Sequence, residues 1–418
     1  MNTAKKCDVT TDMPAENRQI VVLRYWGSHF KSRRHASNLA CQFEPLVQRN
    51  WHCYLVVERL PDERSWLEPF QALDVRLVVL PRTRGNFDLK CVARAYALCR
   101  QLRCSVFHCD NMHTSPLLGA FLARVKVRIW SKRSMNAHYQ QGRQPSLRER
   151  IALATRTSSF CVTRIFAVSR EVQKELVEMG IPQGRVVVRH NPRMLSVERN
   201  GYDRMAVRQS LGLADTAKVV ITVGHAVPVK GWDLLVRAFA PVAEAEPQAR
   251  LILVGSFTAP HERACYADLA RWIAEHDLEA KVTFTGHLGD ISGVLQAADM
   301  FVMPSRSEGF SLALVEALQA GLPCIATRVG IAQDVIEDGV NGFLVERGDE
   351  GGLPQAMLRL TQDEGLRKRL AQNAVVPACI PTLQEYAENL ACDYESLLAM
   401  SARRSQPEFP RPAHVESQ

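Results

Sequence analysis

The sequence lacks the segments that mark membrane-spanning and exported chains. No window of its 418 residues approaches the run of about 18 apolar residues that a transmembrane helix needs. Residues 1–17 are polar and contain no apolar core of a signal peptide. We therefore expect a cytoplasmic protein, and any contact with a membrane would be peripheral, at the inner face of the cytoplasmic membrane.

The sequence also lacks the spacing of a structural metal site or a disulfide scaffold. It has 12 cysteines but no Cys-x-x-Cys pair. The densest cysteine group falls in segments typical of buried helix and strand and comprises Cys91, Cys99, Cys104 and Cys109. We expect reduced, mostly buried thiols and no bound metal or other cofactor.

Two further motif classes are absent from the sequence. No Gly-x-Gly-x-x-Gly follows the first strand of either expected lobe, which disfavours an NAD-dependent oxidoreductase. No helix-turn-helix, zinc-finger or RNA-recognition signature occurs, and no aromatic residues alternate with the basic ones. We therefore expect no nucleic acid partner.

The composition is that of a globular protein whose charge is divided unevenly along the chain. The hydrophobic fraction is 46% and the charged fraction 23%, and the length predicts two domains. Residues 1–200 hold 33 Lys and Arg against 16 Asp and Glu, a formal charge of +17, so the remainder carries −9. The basic charge of the first half favours an anionic partner such as a membrane surface, a lipid phosphate, an acidic glycan or nucleic acid, of which the missing motifs disfavour nucleic acid. An Arg-rich solvated surface would look the same.

Short β-branched runs alternate with segments of helical spacing, and this pattern occurs twice. Such alternation predicts two doubly wound α/β lobes with parallel sheets that face a central cleft. We expect a disordered segment 1–17, an N-terminal lobe 18–197, a C-terminal lobe 198–383, a terminal helix 384–400 and a disordered tail 401–418. Ligands of such sheets bind beyond the carboxyl ends of strands.

The most informative segment follows a buried run and extends from Pro304 to Leu318. Ser311 is a good helix N-cap before an apolar run, and Gly309 lets the backbone approach a ligand closely. The free amides of the first helical turn and the positive end of the helix dipole predict an anion site that fits a phosphate. Glu308 precedes this helix and Glu316 lies inside it, where each carboxylate can accept hydrogen bonds from sugar hydroxyls.

This segment carries a family resemblance. The stretch from Ser307 resembles the retaining nucleotide-sugar glycosyltransferases of glycosyltransferase family 4, which have the GT-B fold, and reads SEGFSLALVEALQAGLPCIATRVGIAQDVIEDGVNGFLV. Glu308 and Glu316 stand at the two positions of the family's Glu-x7-Glu motif. The resemblance implies that Glu308 orients the donor sugar and that Glu316 binds the ribose. It also implies donor contacts from the intervening residues Gly309, Phe310, Ser311 and Leu312.

A second segment, Val223 to Leu235, resembles the family's Gly-Arg-x-x-x-x-Lys-Gly loop. Gly224 and Lys230 match this loop, and the resemblance implies that Lys230 neutralises the donor's diphosphate. His225 stands where the family has arginine, so a neutral imidazole replaces a guanidinium. Two later strand-then-glycine loops imply nucleotide contacts at Gly255 and Leu288.

The first lobe resembles the family less closely. Gly27 follows the first strand in place of the family's Gly-Gly loop and is a candidate on the acceptor side, together with Asp110 and His113. His108 matches a family histidine that contacts the transferred sugar. The alternative for both histidines is a structural role, with His108 buried at a strand end and His113 at a helix start.

Basic residues crowd the same lobe in two groups. The first group follows the Gly27 loop, and we expect it near the mouth of the cleft on the acceptor side, where it would bind a lipid diphosphate or anionic headgroups. The two groups are Lys31, Arg33, Arg34 and then Arg124, Lys126, Arg128, Lys132, Arg133.

The resemblance implies a retaining, metal-independent transfer of a sugar from a nucleotide diphosphate donor to a hydroxyl of a glycan or lipid-linked glycan. A UDP sugar is the commonest donor in the family. Two alternatives share the second lobe: a nucleotide-sugar epimerase or hydrolase of the same fold, and a protein that binds a nucleotide sugar without turning it over.

Overall fold

The chain forms two α/β lobes, each built on one parallel sheet. The protein is described by a computed structural model that covers residues 20–26, 33–61, 63–81, 87–110, 113–136, 146–147, 161–193 and 202–403. The predicted disordered segment 1–17 and all but three residues of the predicted tail 401–418 lie outside this range. The expected α/β class with two doubly wound lobes is confirmed.

The first lobe contains a seven-stranded parallel sheet in the order β3-β2-β1-β4-β5-β6-β7. Its central strands are apolar and buried on both sides, because helices cover both faces. The strands are β1 Val21–Tyr25, β2 His52–Val57, β3 Arg76–Val79, β4 Val106–Asp110, β5 Val127–Lys132, β6 Arg164–Ala167 and β7 Val186–Val188.

The second lobe contains a six-stranded parallel sheet in the order β10-β9-β8-β11-β12-β13. Two apolar clusters of buried residues lie on its opposite faces. The strands are β8 Lys218–Val223, β9 Ala249–Val254, β10 Val282–Gly286, β11 Met300–Met303, β12 Cys324–Thr327 and β13 Gly342–Val345.

Helices cover both faces of each sheet. Several begin at side-chain caps that the sequence encodes: Asp88 accepts hydrogen bonds from the amides of Lys90 and Cys91, and Ser169 accepts one from Val172. The α-helices of the described residues are Arg33–Cys41, Glu44–Gln48, Glu68–Ala72, Leu89–Gln101, Thr114–Leu122, Arg170–Glu178, Arg204–Ser210, Trp232–Ala245, Pro260–Glu275, Ser292–Ala297, Leu312–Gln319, Ala332–Val335, Gly352–Gln362, Glu364–Asn373 and Leu383–Arg403.

Both sheets have a point at which the strand order reverses. It lies between β1 and β4 in the first sheet and between β8 and β11 in the second. Connections leave neighbouring strands in opposite directions there, which opens a crevice at the carboxyl edge of a parallel sheet. Backbone of the two lobes meets near these edges, since a Cβ built on Gly309 would lie 2.4 Å from the carbonyl oxygen of Arg133.

The terminal helix, Leu383–Arg403, belongs spatially to the first lobe. Its residues Tyr386, Leu390 and Tyr394 are buried in the same apolar cluster as β1 and β2. The chain therefore crosses back from the second lobe before this helix, and at the crossing the Arg193 amide donates a hydrogen bond to the carbonyl of Pro381. No described helix is long and apolar enough to span a membrane, and no disulfide joins the described cysteines.

The returning helix fixes a buried polar group of the first sheet. The Tyr394 hydroxyl lies 2.5 Å from Nδ1 of His108, whose Nε2 lies 2.7 Å from the Ser131 hydroxyl. His108 is fully buried, and burial lowers its pKa to about 3, so the ring is neutral. Both ring nitrogens are thus satisfied inside the lobe.

Replacing Tyr394 by Phe tests this anchoring of the terminal helix. The variant removes one hydroxyl and leaves a buried imidazole nitrogen without its partner, which costs about 1–3 kcal/mol of unfolding free energy. Urea unfolding will measure the loss. Tyr96→Phe is the matched control, because Tyr96 is 43% exposed; equal midpoints for the two variants would contradict a structural role for this contact.

Candidate functional site

The centre of the candidate site is an ion pair between two loops of the second lobe. Lys230 follows β8, Glu308 follows β11, and Lys230 Nζ lies 2.5 Å from Glu308 Oε1. Glu308 is buried, and the same oxygen accepts a hydrogen bond from the buried Ser305 hydroxyl at 3.0 Å. The two residues that the sequence assigned to a donor site therefore lie side by side.

The backbones of the two loops that carry Lys230 and Glu308 approach each other closely beside this ion pair. Gly231 has φ +67, and a Cβ there would lie 2.0 Å from the carbonyl oxygen of Pro304, so only glycine fits. Arg306 adds a second link through hydrogen bonds of 2.7 and 2.6 Å to the two carboxylate oxygens of Asp233. Sequence reasoning missed the Arg306–Asp233 pair, because its members are 73 residues apart.

The predicted helix N-terminus is present beside the ion pair. The helix Leu312–Gln319 begins after Ser311, whose hydroxyl accepts a hydrogen bond from the Leu314 amide at 3.3 Å. Leu312 is 36% exposed on the first turn. Phe310 packs against apolar residues of both lobes and lies 6.3 Å, between ring centroids, from His190. The helix thus begins four residues after Glu308, the partner of Lys230, and presents backbone amides and the positive end of its dipole there.

Glu316 lies on the second turn of this helix and is half-buried. Glu316 follows the amides of the first helical turn. In sequence it is farther from Lys230 than Glu308 is. The two glutamates therefore flank the helix start as the Glu-x7-Glu spacing requires, one before it and one within it.

His225 and Lys230 have different partners. Its Nδ1 lies 3.0 Å from Oε1 of Glu262, and its side chain is 54% exposed. Glu262 also accepts hydrogen bonds from the Ser256 hydroxyl and the Ala259 amide, and these bonds together with His225 hold its pKa at about 2. His225 thus links the β8 loop to the start of the helix Pro260–Glu275, a contact that no local pattern indicated.

The remaining donor-side candidates line the carboxyl edge of the second sheet. A Cβ on Gly255 would lie 1.4 Å from the carbonyl oxygen of Gly224, so the chain ends of β8 and β9 are in backbone contact. The amide of Gly255 donates to the carbonyl of Gly286 at 3.0 Å. Leu288 follows this strand end and is half-buried against the apolar cluster under the site.

The structure places the side chains of His108 and Asp110 in the interior of the first lobe, where other side chains hydrogen-bond to them. His108 is enclosed by Tyr394 and Ser131, as described above. Asp110 is fully buried, and its carboxylate lies 2.5 Å from Arg24 Nε and 2.5 Å from an Arg133 amino group. Burial alone would raise the pKa of Asp110, but Arg24 and Arg133 hold it below its usual range. The polar atoms of both side chains are therefore bonded to other protein side chains, some of which are remote in sequence.

The other two acceptor-side candidates have different outcomes. His113 is buried at the N-terminus of the helix Thr114–Leu122, where its ring lies edge-on to Tyr25 at 5.1 Å between centroids. This matches a structural position at a helix start. Gly27 lies outside the described residues.

The described members of the two basic groups differ in exposure and in partners. Arg124 and Lys126 are exposed, but Lys132 is buried 3.3 Å from Glu175, and Arg128 donates to backbone carbonyls. Of the first group, Arg33 is exposed and pairs with Glu68, while Lys31 and the Arg34 side chain lie outside the described part. Several of these charges are thus compensated internally.

Within the described ranges, no group of three or more His, Cys, Asp and Glu residues is arranged to hold a metal ion. The positive groups at the candidate site are Lys230 and the helix amides.

Two protein-family models match the chain. Residues 21–192 match the model of the glycosyl transferase 4-like domain, and residues 203–375 match the model of glycosyl transferases group 1. The two matched regions coincide with the two lobes.

Curated relatives are similar over part of their length. A D-inositol 3-phosphate glycosyltransferase of Stackebrandtia nassauensis is 35% identical over 220 residues, which are 49% of this chain and 48% of the relative. An N-acetyl-alpha-D-glucosaminyl L-malate synthase of Bacillus anthracis is 28% identical over 56% of this chain and 58% of the relative. The aligned part spans about half the length of these relatives.

Solved structures share the fold over nearly the whole chain. HepE of Anabaena in complex with UDP and glucose has a TM-score of 0.74 at 20% identity, over 90% of this chain and 100% of that chain. Sucrose-phosphate synthase of Thermosynechococcus elongatus has a TM-score of 0.69 at 20% identity, over 92% and 100%. Both lobes together therefore have the GT-B fold, and the chain contains a glycosyl transferase 4-like domain followed by a glycosyl transferases group 1 domain.

Proposed function

We propose that this protein transfers a sugar from a nucleotide diphosphate sugar to a hydroxyl group of an acceptor, with retention of the anomeric configuration. The observation that carries the proposal is the juxtaposition of Lys230, Glu308 and the helix N-terminus at Ser311. This arrangement offers a cation, oriented amides and a hydroxyl-binding carboxylate within one crevice.

The positive groups suit the leaving diphosphate. Negative charge develops on the diphosphate as the bond to the sugar breaks, and donors fixed in place beforehand stabilise that charge without reorganisation. Lys230 is already held near the amides by Glu308, so its ammonium group need not be recruited from solvent. In this proposal Lys230 and the amides take the place of a divalent metal ion.

The two glutamates serve the two ends of the donor. Glu308 lies beside Lys230 and orients the donor sugar, while Glu316 lies one turn into the helix and binds the ribose hydroxyls. Support for the donor class comes from relatives of the same fold: HepE of Anabaena is described in complex with UDP and with UDP-glucose. We take a UDP sugar as the first donor to test.

We propose a glycan or lipid-linked glycan as acceptor, at the cytoplasmic face of a membrane in cell-envelope or extracellular polysaccharide synthesis. The formal charge of +17 on residues 1–200 supports an anionic acceptor or an anionic membrane surface. A solved structure of this fold belongs to WaaG, described as a glycosyltransferase involved in lipopolysaccharide biosynthesis.

A thermal-shift panel of UDP, GDP, ADP and their sugars, measured with and without EDTA, tests the proposal. A ligand at 100 times its dissociation constant adds about 2.7 kcal/mol of stability, so one nucleotide should raise the melting temperature clearly. The shift should persist in EDTA. Product analysis with and without acceptor then separates transfer from hydrolysis, and no shift with any nucleotide would contradict the proposal.

Lys230→Ala should reduce kcat by about 100- to 1,000-fold, because it removes a preorganised charge aimed at the leaving group. Steady-state kinetics with the donor found in the panel will measure this loss. Lys368→Ala is the control, since Lys368 forms a comparable pair with Glu364 at 2.7 Å on an exposed helix. Wild-type kcat in Lys230→Ala would remove this residue from the site.

Glu316→Ala should weaken nucleotide binding by about tenfold to a hundredfold, the typical value of a hydrogen bond to a charged group. The ribose role predicts in addition that the variant no longer distinguishes UDP from 2′,3′-dideoxy-UDP in calorimetric titrations. Glu275→Ala, on an exposed helix end, is the control. A variant that keeps the wild-type discrimination would refute the ribose assignment.

A further inference from the structure

The first lobe holds a cluster of buried charges at the edge that faces Gly309. Asp110 stands at the end of β4 and accepts hydrogen bonds from Arg24 on β1 and from Arg133, which follows β5. Arg24 also donates to Gln42 at 2.7 Å. Three neighbouring strands therefore bring these side chains to the same carboxyl edge.

The cluster carries an excess of positive charge. Two guanidinium groups share one carboxylate, while Gln42 is uncharged and His108 is neutral because its pKa is about 3. The nearby Lys132 is matched separately by Glu175. The excess charge falls on Arg133, whose side chain is partly exposed, and an anion or water at its exposed side would compensate it.

Arg133 is the partly exposed member of the cluster, and its backbone approaches the second lobe. Arg24 and Asp110 have side chains that are 1% and 0% exposed, whereas the Arg133 side chain is 23% exposed. The guanidinium carbon of Arg133 lies 5.2 Å from the centroid of the Trp26 ring. The backbone carbonyl of Arg133 is in contact distance of Gly309, at the helix start of the other lobe.

Two buried N–H donors at the contact between Arg133 and Trp26 have no hydrogen-bond partner among the described residues. They are Nε of Arg133 and Nε1 of Trp26, and the Trp26 side chain is itself buried at 6% exposure. Buried N–H groups are rarely left unsatisfied. The presence of two such donors side by side therefore points to an acceptor that binds between them. An anionic oxygen would satisfy both donors and the excess charge together.

We propose that Arg133 and Trp26 bind the distal phosphate of the donor diphosphate from the first-lobe side. The inference rests on the proposed function. Arg133 would supply the guanidinium that the loop after β8 lacks. In that loop His225 stands in the place of arginine, and its imidazole is engaged with Glu262. Lys230 and the amides of Gly309 to Leu312 contact the diphosphate from the second lobe, and Arg133 contacts it from the first. Donor binding therefore also bridges the lobes.

Calorimetric titrations of a nucleoside diphosphate and its monophosphate test this assignment. The probe pair is UDP and UMP, or the corresponding pair of the nucleotide that gives the largest thermal shift. Arg133→Gln should weaken diphosphate binding by about tenfold to a hundredfold and leave monophosphate binding within twofold, because only the distal phosphate loses a contact. Trp26→Phe, which keeps an aromatic ring but removes the indole N–H, should weaken diphosphate binding by a smaller factor.

Arg133→Lys and Arg100→Gln serve as controls. Arg133→Lys keeps the charge and should recover part of the diphosphate affinity, while Arg100 is exposed on the helix Leu89–Gln101 and its variant should bind like wild type. Asp110 stays paired with Arg24 in the Arg133 variants, and melting temperatures will verify that they fold.

The outcomes separate this inference from the proposed function. Wild-type protein that binds no nucleoside diphosphate would contradict both. Wild-type binding with an unchanged diphosphate-to-monophosphate ratio in Arg133→Gln would overturn the Arg133 assignment alone. An unchanged donor affinity with a raised acceptor KM would also overturn it and would place Arg133 on an anionic acceptor.

Discussion

The direction of the strands is the constraint on which the candidate site depends. Each functional group reaches the cleft from the carboxyl end of a parallel strand or from the loop after it, and parallel strands place these ends at one edge. The reversal of strand order in each sheet then separates the connections and leaves room for a ligand. The Lys230–Glu308 pair forms where this geometry brings the β8 and β11 loops together.

In the proposed function, the two lobes bind the diphosphate in different ways. The second lobe uses one lysine held by a buried glutamate, with backbone amides beside it, and its bulk charge is negative. The first lobe uses a buried cluster in which one aspartate restrains two arginines. Because removing water strengthens interactions between charges, both arrangements become more effective when a ligand closes the cleft.

The sequence located the strand ends and the helix start of the second-lobe candidate site because the relevant signals are local. Apolar runs located the strands, Ser311 located the helix start, and the Glu-x7-Glu spacing placed Glu308 and Glu316 around it. The pairing of Lys230 with Glu308, 78 residues apart, followed from parallel topology rather than from any single motif.

The first lobe was predicted less accurately because its polar residues depend on remote partners. His108 is fixed by Tyr394, 286 residues away on a helix that returns to this lobe, and Asp110 is fixed by Arg24, 86 residues away. No periodicity or spacing connects such residues. For the same reason Arg133 appeared only as one of several basic residues, although the structure separates it from exposed neighbours such as Lys126.

A crystal structure of the protein with the nucleoside diphosphate that stabilises it most would test the central claim directly. The account predicts the distal phosphate within hydrogen-bond distance of Lys230 Nζ and the amides at the start of the helix Leu312–Gln319, with Glu316 on the ribose. A nucleotide bound elsewhere, or a diphosphate that avoids both Lys230 and these amides, would contradict it.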